Sequence, residues 1–143
     1  MRVDLTWSAP RSHEGLKRET GKGPPGVYLI IAGKRIAGKW NEGTFKILDI
    51  GQSSDIHLRI AEHDREECWH SHARGSSLLV KVAELPETEY DETVRRALVC
   101  CLRVSEGPAC GNECSEGYYR DQSVDISNQG DMAPLKASYA CSP

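Results

Sequence analysis

Gly26-Val27-Tyr28-Leu29-Ile30-Ile31 and Phe45-Lys46-Ile47-Leu48-Asp49-Ile50-Gly51-Gln52-Ser53 are the stretches on which the reading of this chain turns. Each is an apolar, β-branched run of strand length, and the segment between them is charged and carries glycine. They read as two antiparallel strands of a hairpin with an elaborated connection, turning at Ala32-Gly33-Lys34-Arg35. The second strand runs into Asp55-Ile56-His57-Leu58-Arg59-Ile60-Ala61-Glu62-His63. Here Ile56 and Ile60 repeat at helical spacing toward a core, and Arg59 and His63 stand one turn apart on a neighbouring face. Ser53 or Ser54 is the expected N-cap, and the helix is expected to end near Cys68.

Working outward, residues 77–85 hold Leu78, Leu79, Val80, Val82 and Leu85, a mostly buried third strand that Pro86 stops. A second helix is expected from about Tyr90 to Gly107-Pro108. Its apolar side is Val94, Ala97, Leu98, Cys101 and Leu102, with Glu92, Arg95, Arg96 and Val99 on the other side. Residues 1–25 are polar and end in a glycine and proline cluster, so they read as a loop or arm. From Ser115 the chain is poor in large aliphatics and is punctuated by Gly130, Asp131 and Pro134, which reads as a loosely structured tail. The expected organisation is a polar arm over 1–25, a folded domain over 26–114 and a tail over 115–143. The expected fold class is α/β (α+β), built from these three strands and two helices.

Eighteen basic against 21 acidic residues give a net charge of −3 over 143 residues, so no global positive field advertises nucleic acid. Contact with phosphate must come from a local patch. No apolar run is long enough for a membrane span, and Met1-Arg2-Val3-Asp4 leads into a polar stretch rather than a signal-peptide core. A cytoplasmic protein with reduced thiols at Cys68, Cys100, Cys101, Cys110, Cys114 and Cys141 is the expectation, with Cys100 and Cys101 acting as small buried hydrophobes. Cys110 and Cys114 have a spacing that zinc sites use, but a separate pair of ligands is needed to complete one. Cys68, His70 and His72, with His63 upstream, form a local group able to seat a transition metal.

Gly26-Val27-Tyr28, Asp49-Ile50-Gly51, Arg59 eight positions after Gly51 and His63 four beyond it together resemble the GIY-YIG nuclease family. The resemblance covers about residues 26–112. It implies a small antiparallel sheet with packed helices and a phosphodiester-cleavage site at the exposed end of the first hairpin. Tyr28 would then orient or activate the attacking water, and Arg59 would stabilise charge on the scissile phosphate. His63 would relay a proton or bind phosphate, and Asn112 would hold the backbone near the site. His70 or His72 fills the place of a further functional histidine. Lys34, Arg35 and Lys39, with Arg95 and Arg96, are candidates for a phosphate-binding surface. The implied cofactor is a divalent metal, Mg²⁺ or Mn²⁺, and the implied partner is DNA.

The chain departs from the family pattern at two points. Asp49 stands where the second triplet has tyrosine, and the metal-binding glutamate of the last helix falls at about Val99 or near Arg96. Either Asp49 or Glu92 takes over the metal, giving an endonuclease with an altered active site, or the domain is catalytically silent and binds nucleic acid or a protein. Plainer readings stand beside these. Tyr28 alone is a strand aromatic, Arg59 and His63 are a solvated helix face neutralised by Glu62 and Glu66, and Glu92 complements its helix dipole.

Overall fold

The computed structural model describes residues 1–114 and 122–143. Its central strand, β3 (Gly26–Ile36), explains the rest. Val27, Leu29 and Ile31 point to one side and Tyr28, Ile30 and Ala32 to the other, and all six are buried. A strand covered on both faces reads as a continuous apolar run, which is how this one reads in the sequence. Around it the chain runs β1 (Arg2–Trp7), β2 (Arg11–Ser12), α1 (His13–Lys17), β3, β4 (Lys39–Ser53), α2 (Ile56–Ala61), α3 (Glu66–His72), β5 (Ser77–Glu84), α4 (Glu92–Glu106), β6 (Val124–Gly130) and β7 (Ser138–Cys141).

The result is a mixed α/β fold with a four-stranded sheet, a three-stranded sheet and four helices among the described residues. The larger sheet has the order β2-β5-β3-β4 and is antiparallel throughout. The three strands expected from the sequence are its β4, β3 and β5, with the two-residue β2 added at the edge. The smaller sheet has the order β1-β6-β7, with β1 parallel to β6.

Two cores lie on opposite sides of the larger sheet. Val27, Leu29, Ile31 and Ile50 pack with α4 and with Val3, Leu5, Trp7, Val124 and Ile126 of the smaller sheet. Tyr28, Ile30 and Leu48 pack with Leu16, Ile56, Ile60, Trp69 and Ala73 from α1, α2 and α3.

Several expectations are corrected. The β3–β4 hairpin does not turn at Ala32–Arg35; both strands continue to Ile36 and Lys39, and Ala37 and Gly38 make the two-residue turn, both with positive φ, the form that matches strand twist. The polar arm is not an arm. Val3, Leu5 and Trp7 alternate inward in β1, and β2 and α1 follow. The tail is likewise structured from Val124, where β6 and β7 join β1; its portion at 115–121 lies outside the described residues. The single helix expected to reach Cys68 is two, with a break at 62–65, and its cap is Asp55, whose side chain accepts from the backbone N–H of Leu58 and of Gly23. On α4 the cap is Asp91, and Gly107 ends the helix in the left-handed conformation that favours glycine.

The expectation of reduced thiols is also overturned. Cys68 is bonded to Cys110, Cys100 to Cys114 and Cys101 to Cys141, so no free cysteine remains among the described residues. Cys110 and Cys114 are therefore committed to different partners and do not form a zinc pair. No helix is long and apolar enough to cross a membrane.

Candidate anion-binding site

The site begins with a strand pair. Tyr28 lies opposite Gly51 across β3 and β4, and a side-chain carbon at Gly51 would collide with the Tyr28 ring and hydroxyl. Glycine is needed there because the phenol lies across the backbone. Beyond this pair a cavity of about 630 Å³ opens at the β4 edge of the sheet, between α2 and α4. Tyr28, Gln52, Ser53 and Ser54 form its floor, and Arg59, Arg65, Arg95, Arg96 and Arg103 converge on it from the helices and loops.

Three of these arginines are held by the frame. Arg65 binds Asp49 through both ends of its fork, Nε to Oδ2 at 2.7 Å and Nη2 to Oδ1 at 3.2 Å. Arg95, itself buried, donates from Nε to Gln52 Oε1 at 3.0 Å and from Nη1 to the Tyr90 carbonyl. Arg103 donates from Nε to the Ile50 carbonyl and from Nη1 to the Glu113 carbonyl, both at 2.9 Å. Each guanidinium also has a carboxylate beside it, Asp49 for Arg65 and Arg103 and Glu87 for Arg95. Arg59 is the most accessible of the nominated catalytic groups, 37 % exposed at its side chain and 3.1 Å from Asp64.

Asp49 does not face the cavity. It is wholly buried and accepts from Arg65, from Trp69 Nε1 at 2.7 Å and from the Ile50 backbone N–H at 2.8 Å. Its place in the second triplet gives it the role of anchoring Arg65, not of touching a substrate or an ion.

His63 also sits behind the wall. The end of α2 at Ala61 leaves it outside the helix, so it does not stand beside Arg59 on a helical face. Its ring packs edge-on to Tyr28 at 6.1 Å and against Trp69 at 4.4 Å, and its Nδ1 accepts from the Arg65 backbone N–H. Burial, with Arg59 and Arg65 close by, pushes its pKa down to about 3, so it is a neutral packing group. Tyr28 moves the opposite way. Burial, reinforced by the Asp49 charge and only partly opposed by Arg59, Arg65 and Arg103, pushes the phenol up to about 12. It can donate a hydrogen bond but is a poor general base at neutral pH.

The remaining nominated residues divide. Glu92 lines the cavity, 2.8 Å from Arg96, as do Arg95 and Arg96. Asn112 is exposed next to Glu113 and Cys114, which line it. Lys34 and Arg35 are six and seven residues up β3 from Tyr28, about 20 Å away along the strand, and Arg35 stacks on Trp40 instead. His70 and His72 lie on α3 and do not line the cavity. Of the proposed grouping of Cys68 with His63, His70 and His72, only Cys68 and His72 come together, beside Cys110, and Cys68 is held in the disulfide while His63 faces Tyr28.

A divalent cation does not fit this donor set. Hard cations need converging carboxylate or carbonyl oxygens. The acidic side chains at the cavity are Glu87, Glu92 and Glu113, of which Glu87 faces Arg95 and Glu92 faces Arg96. Val99, at the position where the resemblance expects the metal-binding glutamate, is buried at the wall with Arg95 and Arg103 a turn to either side. Five arginines and three glutamates line the cavity, and Asp49, Asp64, Glu87 and Glu92 stand beside the arginines.

Arg65 and Arg103 were not singled out by the sequence. For Arg103 a signal exists, because Arg95, Val99 and Arg103 repeat at four-residue spacing and so form one column on α4. Arg65 has none, since only its partner Asp49, sixteen positions away, gives it a role. Comparison of the chain with family models, with curated proteins and with solved structures returns no match.

Proposed function

We propose that the cavity binds a phosphodiester of a nucleic-acid strand, in a GIY-YIG-like layout that serves binding rather than hydrolysis. The observation that carries this reading is the convergence of five arginines on one cavity, three of them pre-oriented by hydrogen bonds to β4, the loop before α4 and the loop after it. A guanidinium is permanently charged and matches phosphate oxygens with a planar fork, so ordering it in advance removes much of the entropy cost of binding. The volume, about 630 Å³, suits a nucleotide-sized group. The order of β3, β4, α2, β5 and α4, with Tyr28 across from Gly51, supports the GIY-YIG-like layout.

In this reading Arg59 and Arg103 meet phosphate oxygens, Tyr28 donates a hydrogen bond from its protonated hydroxyl, and Asp49 acts only by holding Arg65. The three disulfides favour an oxidising compartment over the cytoplasm. The test is fluorescence anisotropy with labelled single-stranded and duplex DNA over a range of salt. Arg59→Ala is expected to weaken binding across sequences and to reduce the slope of log K against log salt by about 1. Unchanged affinity and slope would overturn the reading.

A second reading, metal-dependent DNA endonuclease, is favoured by one observation: Tyr28 and Arg59 line the same cavity. Plasmid nicking with Mg²⁺ or Mn²⁺ that disappears in both Tyr28→Phe and Arg59→Ala would establish it over simple binding.

A further inference from the structure

On the side of the molecule covered by α1 and α3, His13, Glu66 and His70 bring three ligand atoms within 4.8 Å of one another. Glu66 and His70 are four residues apart on α3 and so share one face of that helix. His13 opens α1 and reaches them from a segment more than fifty residues earlier in the chain. Only 3 % of it is exposed, and its ring packs edge-on against both Trp69 and His70, at 5.6 Å each. Its Nε2 has no hydrogen-bond partner, although Glu66 Oε1 is 3.1 Å away.

A buried imidazole nitrogen without a partner is destabilising, and so calls for an explanation. Here the unpaired nitrogen lies beside a carboxylate oxygen without bonding to it, with a second imidazole alongside. Two ligands bonded to one tetrahedral zinc ion stand about 3.3 Å apart. The separation of His13 Nε2 and Glu66 Oε1 is therefore close to the one the ion would impose.

We propose that His13, Glu66 and His70 form a site for a borderline divalent transition metal of the zinc type, with solvent in the fourth position. Two imidazoles and one carboxylate are the donor set that such ions prefer over Mg²⁺ or Ca²⁺. Lys17 holds Glu66 Oε1 at 2.7 Å and is the group the ion displaces; its side chain is 37 % exposed, so the ammonium can move into water. The bound ion ties α1 to α3 and satisfies the orphaned nitrogen. The six cysteines do not compete, because all are in disulfides.

The test is calorimetric titration of the tag-free, oxidised full chain with Zn²⁺, and with Co²⁺ followed by visible absorption. One equivalent is expected to bind, with a tetrahedral Co²⁺ spectrum. His70→Ala and Glu66→Gln, both on the outer face of α3, are each expected to weaken binding tenfold or more, as loss of a ligand requires. Circular dichroism of the two variants shows whether the fold is retained. Lys17→Met is expected to tighten binding severalfold by removing the competing cation, and His72→Ala is expected to leave it unchanged. The proposal is overturned by the absence of binding, by binding that survives both His70→Ala and Glu66→Gln, or by binding that is lost with His72→Ala instead.

Discussion

The two faces of the four-stranded sheet each bury a charge carried on one of the sheet's own strands and each carry a disulfide, and the two charges serve different ends. On the helix-covered face the charge is Asp49 and the disulfide is Cys68–Cys110. On the face toward the smaller sheet the charge is Lys81 and the disulfide is Cys101–Cys141. Lys81 pairs with Leu29 across β5 and β3, which fixes its side. Its ammonium gives its three protons to Asp131 Oδ1, the Asp131 carbonyl and the Ala133 carbonyl, at 2.7, 2.7 and 2.8 Å. Asp49 is held by side chains, and one of them, Arg65, reaches the cavity. Lys81 is held mainly by backbone of the loop between β6 and β7. The first charge orients an arginine at the cavity; the second fastens a strand pair to the body.

The difference predicts unequal penalties. Removing Asp49 leaves a guanidinium and a fully buried indole N–H without their acceptor, and a buried ion pair broken on one side costs about 4 kcal/mol. Asp49→Ala is therefore expected to lower the urea midpoint more than any other single change considered. It should also weaken DNA binding when measured on the fraction that remains folded, because Arg65 loses its orientation. A stability loss under 1 kcal/mol would show that Arg65 and Trp69 find other acceptors.

Sequence reading located β3, β4, β5 and α4 because each carries its own periodicity. It missed the smaller sheet for a physical reason: β1 alternates Val3, Leu5 and Trp7 with Arg2, Asp4 and Thr6, a period of two that disappears when residues 1–25 are weighed as one polar block. Its partners β6 and β7 lie more than a hundred residues away. Asp49 was visible as an unusual residue, but its burial depends on Arg65 and Trp69 folding over it. Six cysteines permit fifteen pairings, and only tertiary proximity selects among them. His13 belongs to the same class, since nothing near it in the chain marks its meeting with Glu66 and His70. Local pattern reveals the elements; contacts between distant segments decide what the polar residues do.

On the other face, Lys81→Met keeps the length of the stem and removes the ammonium. Its partners suffer less than those of Asp49. Asp131 is 36 % exposed at its side chain and can hydrate, and two of the three acceptors are carbonyls in a loop. The expected loss is about 2 kcal/mol, read from the urea midpoint, with DNA affinity unchanged. An effect on affinity would mean that the two faces are coupled through β3.

The smallest effect lies in the acid dependence of the helix-covered face. His63 is held at about 3 against an ordinary value near 6.5, and burial also lowers His13. His63 stays neutral in the folded chain while the unfolded chain takes up a proton below pH 6.5, so its contribution is present above that pH and is lost as pH falls toward about 3. The slope approaches about 1.4 kcal/mol per pH unit for His63, or about 1 kcal/mol between pH 6.5 and 5.5. Carboxylates that also respond, Asp55, Asp64 and Glu66, are shifted downward from values near 4 and act mainly below this window. Urea midpoints measured from pH 7 to pH 5 should therefore fall for the native chain and fall less steeply for His63→Gln. Equal slopes in the two proteins would mean that His63 is protonated in the fold, and the wall behind Tyr28 would then be open to water.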